Sequence, residues 1–128
     1  DVLQADGGTR TASICGGYVA LHDACSRLIA ANEIDMNPLL DELAAISVGI
    51  IDGEARLDLP YVEDAAAEVD FNVVMTGSQE FVEVQGTAEG AAFNRSQLDE
   101  LIGLASAGID EIVQNQKKLL TVPPLPRN

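Results

Sequence analysis

The dipeptide Asp52-Gly53 constrains this chain more than any other feature. It stands between the run Ala45-Ile46-Ser47-Val48-Gly49-Ile50-Ile51 and the run Ala55-Arg56-Leu57-Asp58-Leu59. Asp-Gly tolerates the positive φ values of a two-residue hairpin turn, so the two runs are predicted to pair antiparallel, with Pro60 stopping the second. A further strand is expected from Val69, with Val69, Phe71, Val73 and Met75 on one face and Asn72, Val74 and Thr76 on the other. Gly77-Ser78 then makes a turn, and Phe81 to Gln85 returns as a strand closing at Gly86. Near the start, Val2 to Ala5 reads as a short strand leading into the turn Asp6-Gly7-Gly8.

Two helices frame these strands. The first begins near Thr9 to Thr11 and ends near Asn32, with Ile14, Tyr18, Leu21, Cys25 and Leu28 at helical spacing as its apolar stripe. The second carries Leu98, Leu101, Ile102, Ala105, Ile109, Ile112 and Val113 on its buried face. Asn94 with Gln97 predicts a capping box at its start, and Lys117 and Lys118 suit its C-terminal dipole. Gly103 and Gly108 interrupt it at a cost of about 1 kcal/mol each relative to Ala, and are read as close packing points. The fold class is therefore α/β (α+β), a mixed β-sheet covered by two long helices. One domain spans residues 1–120, and residues 121–128, with Pro123, Pro124 and Pro126, form an extended Pro-rich tail.

The chain has 128 residues and a net charge of −14, from 21 acidic and 7 basic residues. No apolar run reaches the roughly 18 residues that a membrane helix needs. Nucleic-acid binders usually meet phosphates with Lys and Arg, so in one reading a chain this acidic holds a chemical centre while other surfaces hold most of any nucleic acid, and in the other the acidity of most of its carboxylates merely keeps the protein soluble. Cys15 and Cys25 fall in one helix about 15 Å apart along its axis, too far to bridge. They read as free thiols in a reducing, cytoplasmic setting. His22 follows no metal spacing. The chain opens without Met, at Asp1-Val2-Leu3, which suggests a fragment or a processed piece.

Two groups of residues can carry chemistry. Asp6-Gly7-Gly8-Thr9-Arg10-Thr11 joins a turn to a helix start. Glycines permit close backbone approach, free helix N–H groups point outward, and the Arg10 guanidinium matches phosphate geometry. That is an anion site in one reading and an ordinary glycine turn in the other. Glu63 and Asp64 precede Asp70, and the even separation of Asp64 and Asp70 would put both on one face of an extended segment. Such a pair could hold Mg²⁺ or, with a raised pKa, protonate a leaving oxygen. It could equally be a solvated acidic loop. A third segment, Glu83 to Gly90, reads as a turn whose polar side chains line a cleft.

Four ordered segments resemble the ribonuclease PH family: DGGTRTASI (Asp6–Ile14), AAISVGI (Ala44–Ile50), LPYVEDAAAEVDFNVVMT (Leu59–Thr76) and VEVQGTAEG (Val82–Gly90). The resemblance runs from Asp1 to about Leu120 and implies the C-terminal half of a ribonuclease PH type fold. It implies a phosphorolytic 3′-to-5′ exoribonuclease, or tRNA nucleotidyltransferase. Such an enzyme trims tRNA precursor 3′ ends with inorganic phosphate, releases nucleoside diphosphates, and adds nucleotides in reverse. It implies that Gly8, Thr9 and Arg10 bind the attacking phosphate, and that Asp64 and Asp70 bind Mg²⁺ and transfer a proton, with Arg10, Asp64 and Asp70 catalytic. The implied partners are RNA, an N-terminal half of the same protein carrying a further phosphate-contacting arginine, and copies of the chain in a homo-hexamer built as a trimer of dimers. The sequence departs from the pattern at Ala65, where the family often has Ser, and at Cys15-Gly16-Gly17. The rival reading is a catalytically silent ring subunit that scaffolds RNA processing. Such subunits typically lose the arginine or the acidic residues, all of which are present here.

Overall fold

The computed structural model describes residues 2–124. Its elements run α1 (Thr9–Ala30), β1 (Leu43–Ile51), β2 (Glu54–Leu57), α2 (Tyr61–Asp64), β3 (Val69–Thr76), β4 (Phe81–Ala88) and α3 (Arg95–Leu120). The strands form one sheet in the order β2-β1-β3-β4. All three pairings are antiparallel, so the parallel component of a mixed sheet is missing among the described residues. Asp52 and Gly53 take φ of 52° and 75°, the paired positive values that the hairpin turn requires.

Strand alternation decides the core. Val69, Phe71, Val73 and Met75 of β3 join Ala44, Ile46, Val48 and Ile50 of β1 beneath Leu101, Ala105, Ile109 and Val113 of α3. This face buries about 25 cal/mol for every Å² of apolar surface removed from water, the main drive for the fold. α3 starts on the predicted capping box: the Asn94 side chain accepts from the Gln97 N–H at 3.0 Å, and the Gln97 side chain accepts from the Asn94 N–H at 2.9 Å. Near its other end Gln116 is buried, and its Nε2 donates to the carbonyls of Cys15 and Leu43, joining α3 to α1 and β1.

The opposite face of β1 is covered by two other pieces. Ile51, Leu59 and Ala67 form a small second cluster. Beside it, Leu59 N–H donates to Ser47 Oγ, and the N-terminal end of α1 lies close over Ser47.

Several expectations are corrected. Val2 to Ala5 is not a strand; these residues are exposed and pair with no strand among those described. β2 stops at Leu57 rather than reaching Leu59, because Asp58 turns the chain with φ 56° and Leu59 goes into the small cluster. β4 continues through Gly86 to Ala88, so the predicted cleft-lining turn from Glu83 onward is mostly strand. On α1, Leu21 and Leu28 are 52% and 39% exposed, whereas Cys25 is buried. The tail residues Thr121 to Pro124 are neither helix nor strand, and the rest of the predicted extended tail lies outside the described residues.

Candidate active site

The anion-suited loop ends on Gly8, which caps α1 with φ 66° and ψ 24°. That left-handed conformation suits glycine and turns the chain sharply into the helix. Gly8 provides no side-chain cap, and no acidic side chain occupies the first turn of this 22-residue helix. The positive end of its dipole thus meets no carboxylate of its own. The Thr9 hydroxyl donates to the Asp6 carbonyl at 2.8 Å, and Thr11 Oγ1 donates to the Gly8 carbonyl at 2.8 Å. The loop is therefore braced from within.

It is also braced from across the fold. Asp6 Oδ1 accepts from the N–H of Gly7 at 2.9 Å and from the N–H of Tyr61, the first residue of α2, at 2.7 Å. These bonds, that from Tyr61 first, hold the Asp6 carboxyl below its ordinary pKa. Gly7 is pressed against the same segment: a Cβ there would fall 2.0 Å from the Leu59 carbonyl oxygen. Asp64 closes α2 three residues beyond Tyr61, about 4.5 Å further along the helix axis. One helical turn thus separates the loop's anchor from the first carboxylate of the acidic pair.

Asp70 lies on β3 opposite Gly49 of β1 and Thr87 of β4. Its neighbours Val69 and Phe71 face α3, so alternation puts Asp70 on the other face. Ser47, beneath Gly8, is two residues from Gly49 on that same face, about 7 Å away along the strand. The expected even spacing of Asp64 and Asp70 on one extended segment is not what unites them. Asp64 ends a helix and Asp70 belongs to a strand, with a turn between. They are nonetheless electrostatic neighbours. The Asp70 carboxyl is pushed above its ordinary pKa, first by burial, then by the charges of Asp64 and Glu89. Glu89 arrives because its N–H donates to the Glu68 carbonyl, beside the start of β3. The sequence marks Glu89 only as one polar residue of the segment Glu83 to Gly90, without its link to Asp70. Glu63 is instead committed to Arg56, whose Nη1 donates to it at 2.6 Å.

Arg10 crosses to β4. Its Nη2 donates to both oxygens of Glu83, at 2.7 and 2.5 Å, and this partner raises the guanidinium pKa. Glu83 pairs with Val74, on the same sheet face as Asp70 and four register positions from it, about 13 Å along the strand. The structure thus brings Gly8, Thr9, Arg10, Asp64 and Asp70 to one side of the sheet.

Asp70 Oδ1 is buried and has no hydrogen-bond donor. A buried carboxylate oxygen without a donor, close to two like charges, is an arrangement that a cation offsets. Among the described residues no group of three or more potential ligands converges to chelate a metal. Asp64 and Asp70 fit an ion that takes one or two carboxylates and keeps water or substrate oxygens for its other positions, as Mg²⁺ does. Among the described residues no helix is long and apolar enough to cross a membrane.

A four-stranded antiparallel sheet with one long helix on a face, and an anion-suited helix start beside paired carboxylates on the other, defines a class that sequence and structure comparisons identify. The chain belongs to the 3′ exoribonuclease family, whose domain 2 matches residues 41–108, more than half of it. The fold is similar to that of rice (Oryza sativa) Rrp46, with a TM-score of 0.67 and 18% sequence identity over 94% of this chain. The chain spans about half of that protein's length, 52%.

Proposed function

We propose that the intact protein is a phosphate-dependent 3′-to-5′ exoribonuclease that trims tRNA precursor 3′ ends, with this chain supplying its chemical centre. The observation that carries the reading is the shared sheet face: an anion-suited helix start with Arg10 on one side, and Asp70, with an oxygen lacking any donor, on the other.

Inorganic phosphate lodges at Gly8, Thr9 and Arg10, where helix N–H groups and the guanidinium offset its charge. One of its oxygens attacks the phosphorus of the last phosphodiester. The bond from that phosphorus to the 3′-oxygen of the preceding nucleotide breaks. The terminal nucleotide leaves as a nucleoside diphosphate, and the freed 3′-oxygen takes a proton. The Asp70 carboxyl, held above its ordinary pKa by burial and by Asp64 and Glu89, suits proton donation. Mg²⁺ on Asp64 and Asp70 would neutralise charge on the scissile group. Holding an anionic nucleophile beside an anionic diester is the main barrier, so positioning and electrostatics are the levers this site offers.

The exposed apolar side chains of the edge strand β4, Phe81, Val82 and Val84, with Tyr61 and Val62 on α2, give a surface for an N-terminal half and for neighbours in a hexameric ring. The free thiols of Cys15 and Cys25 suit the cytoplasm.

The test is to incubate the intact protein and Mg²⁺ with a 3′-extended tRNA, with and without phosphate, and to identify the released nucleotide. Diphosphates formed only with phosphate support the reading. Monophosphates mean hydrolysis, and no release with phosphate present means a silent subunit; either rejects it.

A further inference from the structure

We infer that Glu83 is a positioning residue for phosphate binding: it holds the Arg10 guanidinium over the reactive face of the sheet before phosphate arrives. This rests on the reading that Arg10 binds the attacking phosphate.

The contact is specific and crosses the fold. It joins the first turn of α1 to the third residue of β4, 73 residues on, with both carboxylate oxygens on one nitrogen, Nη2. Alternative partners are abundant, because 21 acidic side chains share the chain with 7 basic ones. The side chains of Arg10 and Glu83 are 51% and 35% exposed, so the pair adds little to the stability of the fold. An exposed pair with little stabilising value, spanning two elements that flank the candidate site, suits positioning better than structural support.

The donor count decides between holding and blocking. A guanidinium has five N–H donors, and Nη2 supplies two of them. Glu83 engages Nη2 alone, which leaves Nε–H and both Nη1–H groups free for a phosphate oxygen. An unanchored arginine loses rotamer freedom when it binds, whereas one already held does not. The helix start still supplies its own donors to the anion, so removal of the Glu83 charge weakens phosphate binding without abolishing it.

The test measures phosphorolysis by the intact protein at varied inorganic phosphate for Glu83→Gln, Glu83→Asp and Arg10→Ala, with calorimetric titration of phosphate alongside. Glu83→Gln is expected to raise KM for phosphate about two- to tenfold, the scale of immobilising one flexible side chain, with kcat falling less than KM rises and the melting temperature unmoved. Glu83→Asp, which keeps the charge, recovers part of the loss. A lower KM in Glu83→Gln would make Glu83 a competitor of phosphate and overturn the proposal. An unchanged KM there, with KM raised in Arg10→Ala, overturns the role of Glu83 alone. Unchanged phosphate dependence in Arg10→Ala overturns the reading beneath it as well.

Discussion

The Asp6 carboxylate accepts a 2.7 Å hydrogen bond from the backbone N–H of Tyr61, 55 residues away in sequence. Through it, the loop that ends in Gly8-Thr9-Arg10 is attached to the helix that ends in Asp64. α2 has only four residues and no side-chain cap of its own, so it cannot persist on helix propensity. Asp6→Ala is expected to speed amide hydrogen exchange at Tyr61 to Ala65 about five- to tenfold, while β3 keeps its protection. Asp6→Asn, which retains an acceptor oxygen, should show a smaller change. Equal exchange in all three proteins would mean that α2 is held by other contacts.

Asp70 sets stability against activity. Its carboxyl is pushed above the ordinary value by burial, then by Asp64 and Glu89. A carboxyl raised in the folded state binds protons more tightly there than in the unfolded chain, so it costs stability as pH climbs from its unfolded pKa through its folded one. The cost grows as pH rises above the ordinary carboxylate range. Asp70→Asn removes the charge, so its melting temperature at pH 7 should exceed that of the wild type, and the gap should close toward pH 4. Mg²⁺ should raise the wild-type melting temperature and leave Asp70→Asn unmoved. Phosphorolysis by the intact variant should fall by about 10²-fold or more, the scale on which a positioned acid contributes. A variant that is destabilised at pH 7, or that turns over normally, would remove Asp70 from the centre.

What the sequence reveals depends on how local the determinant is. The hairpin turn at Asp52-Gly53, the alternation of Val69 to Met75 and the capping box at Asn94 and Gln97 each involve neighbours a few residues apart, and each is found. The apolar stripe of α1 is legible as a helix but not as a burial pattern. Leu21 and Leu28 are exposed, because which side of a helix faces the sheet is a tertiary fact. The sequence expects Asp64 and Asp70 on one face for a local reason that the fold does not supply. An extended segment would align them by even spacing, whereas a helix, a turn and a strand bring them together. Glu83, Glu89 and Asp6 stand in segments the sequence singles out, but their partners Arg10, Glu68 and Tyr61 are long-range contacts that composition and spacing do not encode.

Gly103 and Gly108 show the same limit in one helix. In sequence both are glycines in a helix interior, but only one is a packing point. A Cβ on Gly108 would come within 2.9 Å of Ile46 Cδ1 and Leu57 Cδ1, whereas a Cβ on Gly103 would meet nothing within 4 Å. Gly103→Ala should stabilise the protein by up to about 1 kcal/mol, the helix-propensity gain alone. Gly108→Ala receives the same gain but must displace Ile46 in a close-packed core, where overpacking costs about 1–3 kcal/mol. Urea denaturation should therefore rank Gly103→Ala above the wild type and Gly108→Ala at or below it. The reverse order would contradict the packing of α3 on β1.

Asp41 gives an acid-range prediction with the opposite sign from Asp70. It lies just before β1 and is joined to the β3–β4 turn: its Oδ2 accepts from the Ser78 N–H at 3.1 Å, and its Oδ1 accepts from the Glu42 N–H at 2.8 Å. The Ser78 hydroxyl is the largest influence, and with the backbone donors it pulls the Asp41 carboxyl from 3.8 down to about 2. A depressed carboxyl stabilises the folded state fully above its unfolded pKa and loses that contribution as pH falls through its folded one. The stability difference between wild type and Asp41→Asn should thus be constant from neutral pH down to about 5, then shrink and vanish near pH 2. Thermal denaturation of both proteins across that range checks it. A difference that persists undiminished at pH 2 would mean that shape, not charge, joins this segment to the turn.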